Sequence, residues 1–87
     1  MNTIWKFTIE NTGHQTLQMP SGAHILSAQL QMDEICLWAL VNTENDHAPR
    51  DITIIGTGHP IDPDFSGRFI GTVQQDNFVW HVFETKR

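Results

Sequence analysis

Gly56-Thr57-Gly58-His59-Pro60, which follows the run Ile52-Thr53-Ile54-Ile55, is the stretch of this chain best suited to hold a ligand. The N–H groups of Gly56, Thr57 and Gly58 can converge on a phosphate, because glycine reaches backbone conformations closed to other residues. Thr57 and His59 can add side-chain donors, and Arg68 just beyond offers a planar fork for two anionic oxygens. Trp38 and Trp80 supply flat rings on which a base could stack. Together Gly56, Thr57, Gly58, His59, Arg68, Trp38 and Trp80 form a candidate site for a small anionic, nucleotide-like ligand. The same two glycines equally serve a bulge or sharp turn at a strand end. The stretch also lacks the G-x-G-x-x-G spacing of a dinucleotide fold and the lysine of a P-loop.

Other chemistries have less to stand on. His14, His24, His47, His59 and His81 show no H-x-x-x-H spacing and the chain has one cysteine, Cys36, so no metal or cofactor is implied. Asp62 and Asp64 flank Pro63 and could ligate a hard cation or work as acid and base, but D-P-D is also plain turn chemistry. Ser21, Ser27 and Ser66 sit in no nucleophile elbow. The expected protein is therefore not an enzyme.

The elements that must position these residues read as strands. Trp5, Phe7 and Ile9 alternate with polar or smaller residues across residues 4–9, and Leu17 and Met19 do so across 14–19, with a hairpin expected at Asn11-Thr12-Gly13. Residues 23–32 place Leu26, Ala28, Leu30 and Met32 on an inward face and Ser27, Gln29 and Gln31 outward. After a tight connection at Asp33-Glu34, residues 35–41 are apolar on both faces and predict a central strand covered on both sides. Residues 42–50 read as a mobile loop and 51–55 as the next strand. An irregular link with two prolines follows, and then a last hairpin, 68–75 with 78–84, turns at Asp76-Asn77. The tail from Glu84 to Arg87 is expected to fray. About seven short strands predict an all-β domain, a small antiparallel sandwich or barrel, as one domain over residues 1–87.

Five basic against ten acidic residues give a net charge of −5, which argues against long nucleic acid as a partner. No window approaches the roughly 20 apolar residues of a membrane span, and a lone cysteine in an apolar stretch suits a reducing, cytoplasmic compartment. An 87-residue chain has a thin core. Strands apolar on both faces then predict a homo-oligomer, since one small two-layer domain cannot cover them all.

The segments I-W-K-F (4–7), G-A-H-I-L-S-A-Q (22–29), L-W-A-L-V (37–41), G-T-G-H-P-I (56–61), and F-I-G-T-V-Q with F-V-W-H-V-F-E near the end resemble an uncharacterised family of small bacteriophage and prophage proteins. The resemblance spans nearly the whole chain. It implies a phage origin and the host bacterial cytoplasm, and it transfers no catalytic residue. It further implies a counter-defence role, by sequestering a nucleotide signal in an oligomer or by binding a host protein. Two classes therefore stand: a ligand-sequestering module, which needs the glycine loop, Arg68 and an aromatic face in one pocket, and a protein-interaction module acting as host-protein inhibitor or virion accessory part. A third, a small hydrolase, needs Asp62, Asp64 and a histidine in one cleft.

Overall fold

The computed structural model of the protein describes residues 1–11 and 13–85. Among them are seven strands and no helix: β1 (Asn2–Ile9), β2 (His14–Pro20), β3 (His24–Gln31), β4 (Glu34–Asn42), β5 (His47–Gly56), β6 (Gly67–Gln75) and β7 (Phe78–Thr85). They form two antiparallel sheets, one in the order β1-β4-β3 and the other β2-β5-β7-β6. Period-two alternation dictates this layering, because each strand has one apolar side to bury and two facing sheets bury them together. Ile35, Leu37, Ala39 and Val41 of β4 meet Met19, Ile52, Ile54, Val73 and Val82 of the other sheet in a single core. Each large aliphatic chain buried there contributes about 1.5–3 kcal/mol.

The all-β expectation holds, and the strand faces of β1, β2 and β7 lie as the alternation predicts. The hairpin expected at residues 11–13 does not form: β1 pairs with β4 and β2 with β5, so the chain crosses between sheets there. Thr12, at the centre of that expected turn, lies outside the described residues. The Gln15 amide stands in for a strand partner, accepting from the Glu10 N–H at 3.0 Å and donating to the Glu10 carbonyl at 2.7 Å.

Three further expectations are corrected. In β3 a bulge between Ile25 and Ser27 inserts one residue, so Ile25 and Ala28 point inward while Leu26 is 46% exposed. Leu30 lies near the end of the sheet and Met32 in the β3–β4 turn, so neither is buried; Met32 is 92% exposed. That turn centres on Met32 and Asp33, both with positive φ (49° and 65°), as a two-residue hairpin of right-handed strands requires. Residues 47–50, expected in a loop, begin β5: pairing with β7 starts only at Asp51, so Pro49 has a neighbour on one side alone, the setting a strand proline tolerates. The turn before it is tied down by Ser21 N–H to the Asp46 carbonyl at 2.7 Å and Asn45 Nδ2 to the Ser21 carbonyl at 2.8 Å.

β4 is central, as expected, but it is covered on one face only. On its outer face Cys36 is buried, Trp38 half-buried and Leu40 exposed. The expected fraying does not begin at Glu84, since Glu84 and Thr85 pair with Asp51 and Ile52 of β5 and with Gly67 and Arg68 of β6; residues 86 and 87 of that expected tail lie outside the described set.

Candidate functional site

β5 ends where β7 begins to turn, with Gly56 opposite Trp80. Just past it the chain folds back: the His59 N–H donates to the Gly56 carbonyl at 3.0 Å, and Gly58 takes φ +85°. This is a type II turn, whose third position requires a positive φ. The Thr57 N–H donates to the Val79 carbonyl at 3.1 Å. Of the three N–H groups expected to converge on a phosphate, that of Thr57 is thus spent on the backbone, and Gly58 serves the turn.

Gly56 lacks a side chain for a different reason. A Cβ there would stand 2.8 Å from Cε1 and 2.9 Å from Nδ1 of His59, so the imidazole lies directly over the glycine. The same ring meets Trp80 edge-on at 6.3 Å. Trp80 in turn is stacked with Phe78, two residues earlier on the same strand face, at 5.6 Å and an interplanar angle of 20°. Trp80 Nε1 donates to Gln75 Oε1 at 3.2 Å, so the indole is anchored at its polar edge while Phe78 remains 61% exposed. Gly56, Thr57, His59, Asn77, Phe78, Val79 and Trp80 line a recess of about 280 Å³.

Four of the residues singled out from the sequence, Gly56, Thr57, His59 and Trp80, therefore meet in one recess, and Gly58 closes the turn beside it. Arg68 and Trp38 do not join them. Arg68 stands opposite Glu84, four residues along β7 from Trp80, about 13 Å away along the strand. Its guanidinium donates to Glu84 at 3.3 Å. Trp38 lies on the outer face of the other sheet, opposite Lys6 and Ser27. The Thr57 hydroxyl is also engaged, 2.7 Å from Nε2 of His81, whose Nδ1 is 3.1 Å from the Thr72 hydroxyl. Residues 57–66 include Asp62 and Asp64 but no lysine or arginine. The recess thus has aromatic walls and no fixed cation.

Sequence reasoning missed Asn77, Phe78 and Val79 as lining residues. The signal was present, since Phe78 follows the Asp76-Asn77 turn and shares a face with Trp80, but alternation does not tell which ring of a face stays open. Asp62 Oδ1 accepts from the Asp64 N–H at 2.8 Å and the Asp62 carbonyl accepts from Phe65 N–H at 2.9 Å, so the D-P-D segment is used as a turn. Among the described residues no group of three or more His, Cys, Asp or Glu is placed to hold a metal ion. No helix among them is long and apolar enough to cross a membrane.

The family described as Domain of unknown function (DUF7352) matches over residues 1–87. The chain belongs to this family. No curated protein and no solved structure matches it.

Proposed function

We propose that this member of the family is a non-enzymatic binding module that takes a planar ring of the nucleobase class against Phe78, in the recess beside the Gly56–His59 turn. The observation that carries this reading is the exposed Phe78 ring held parallel to an anchored Trp80. Such a platform is ordered before the ligand arrives, so little side-chain freedom is lost on binding. Stacking on an aromatic ring is worth about 1–3 kcal/mol per base and does not depend on base identity. A nucleotide-like ligand remains the class, but the ring rather than the phosphate supplies the affinity, because the nearest candidate fork, Arg68, is paired with Glu84.

The narrower setting, a phage-encoded protein that withdraws a nucleotide signal from a host defence in the bacterial cytoplasm, rests on the motif resemblance and is part of the proposal. A protein-interaction reading is favoured by one separate observation, the exposed apolar face around Ile4 and Leu40.

Calorimetric titration with adenosine, adenosine monophosphate and a cyclic nucleotide tests the ligand. Nucleoside and nucleotide should bind with similar affinity, Phe78→Ala should weaken both by roughly 5- to 150-fold, and Arg68→Ala should leave both unchanged. Binding that requires the phosphate and is lost in Arg68→Ala would restore the anion site, and no heat with any of the three would overturn the reading.

A further inference from the structure

Most hydrogen-bonding groups in the recess beside the Gly56–His59 turn are already spent. The Thr57 N–H donates to the Val79 carbonyl, and the Thr57 hydroxyl is paired with Nε2 of His81. The His59 N–H donates to the Gly56 carbonyl, and Trp80 Nε1 donates to Gln75. The His59 ring lies over Gly56 with Cε1, Nδ1 and Nε2 all within 3.2 Å of a would-be Cβ, so that edge is turned to the backbone. Phe78 and Val79 have no polar side-chain atoms. Among the lining residues this leaves the Asn77 carboxamide, which has no hydrogen-bond partner among the described residues.

The hairpin does not account for an asparagine here. Asparagine is favoured where a turn needs left-handed backbone, but in the two-residue turn between Gln75 and Phe78 the positive φ is carried by Asp76, at 54°. What Asn77 brings to the recess is chemistry. A carboxamide holds a donor and an acceptor side by side, and so makes two hydrogen bonds to a ring edge on which an acceptor and a donor are also adjacent. An edge that lacks either makes one bond and leaves half of the amide unmatched. Stacking against Phe78 tolerates any flat ring, so the choice among rings falls to Asn77. No lysine, arginine, aspartate or glutamate lines the recess, and a neutral edge therefore suits it better than an anion.

We infer that Asn77 is a specificity-determining residue of the recess, and that its ligand carries an amino or oxo group beside a ring nitrogen, the edge of a 6-aminopurine or 6-oxopurine. On the ring-binding reading proposed above, on which this rests, Phe78 supplies affinity and Asn77 supplies selectivity.

Calorimetric titration of the wild type, Asn77→Ala, Asn77→Asp and Phe78→Ala with adenosine, inosine, guanosine and purine riboside tests it, with thermal melts confirming that each variant is folded. Purine riboside has the ring of adenosine without the amino group. The wild type should bind adenosine and inosine roughly 5- to 150-fold more tightly than purine riboside. Asn77→Ala should erase that ratio. Asn77→Asp, whose carboxylate can only accept, should prefer guanosine, which presents two adjacent donors, over adenosine; it also serves if Asn77→Ala fails to fold. Equal wild-type affinity for adenosine and purine riboside, a ratio that survives Asn77→Ala, or an Asn77→Asp protein that still prefers adenosine would each overturn the inference, while weakening of every nucleoside by Phe78→Ala would leave the ring-binding reading in place. A wild type that binds none of the four would overturn both.

Discussion

Gly56 and Gly58 lie two residues apart and lack side chains for different reasons. At Gly58 the backbone itself is the constraint: φ is +85° and nothing lies within 4 Å of a would-be Cβ. Alanine there costs about 1–2 kcal/mol of left-handed strain without touching a neighbour. At Gly56 the constraint is the His59 ring, 2.8 Å from the would-be Cβ. Gly56→Ala should push the imidazole off Trp80, while Gly58→Ala should lower stability and leave that contact in place. Nuclear magnetic resonance shifts of the His59 ring protons, which feel the Trp80 ring current, check this; unchanged shifts in Gly56→Ala would refute it. The turn was legible in the sequence because G-x-G after a β-branched run needs no tertiary information. The partners of Arg68 and Trp38 were not, since each is decided by strand pairing between residues far apart in the chain.

At the scale of the elements, a single carboxylate joins three strands and the approach to a fourth. Glu84 of β7 takes a bidentate ion pair from Arg50 of β5, through Nε and, at 3.0 Å, Nη2, and a further bond from Arg68 of β6. Arg50 Nη1 donates to the Ala23 carbonyl at 2.7 Å, just ahead of β3 in the opposite sheet. Burial alone would push the Glu84 carboxyl up, but the hydrogen bond and charge of Arg50, helped by Arg68, outweigh it and hold the group below the usual carboxylate range. A carboxylate depressed in the folded state favours folding once the pH is above its unfolded value, about 4.3, and that contribution is lost as pH falls through the folded value. Glu84→Gln should therefore cost about 1–3 kcal/mol at pH 7, with the gap to wild type narrowing below about pH 4. Urea unfolding at pH 7, 4 and 3 measures it, and a gap that does not depend on pH would show that the ion pair is not its source. Residue patterning had assigned Glu84 to a fraying tail and Arg50 to a loop, because a charged residue carries no alternation signal until its partner is known. The bulge in β3 escaped for a related reason: one inserted residue reverses which side chains face inward, and nothing in Ile25-Leu26-Ser27 marks the insertion.

For the molecule as a whole, the all-β class and most strand limits followed from alternation, but strand order did not, because alternation tells which face is buried and not against which sheet. What brings the two sheets together is visible at one contact. The edge strands β3 and β6 both carry a bulge, and between them Gly71 faces Ala28, so that a Cβ on Gly71 would stand 3.3 Å from the Ala28 carbonyl oxygen and 3.5 Å from its Cβ. Only small residues permit so close an approach, and it fits a body whose Cα extents are 40 × 32 × 16 Å, two layers thick and no more. A core this shallow has no second layer of side chains to absorb added volume, and close-packed interiors transmit the strain to the backbone. Ala28→Leu should therefore wedge the sheets apart, with a loss of about 1–3 kcal/mol and a Tm lower by roughly 5–20 °C for a domain of this size. The urea m-value should stay near that of the wild type, because the surface exposed on unfolding is almost the same. The control is Gln29→Leu, one residue along on the outward side of the same strand, which should leave Tm within about 2 °C, in line with the small effect of surface substitutions. An Ala28→Leu protein as stable as the wild type would mean that the sheets are not held at this spacing by Gly71 and Ala28.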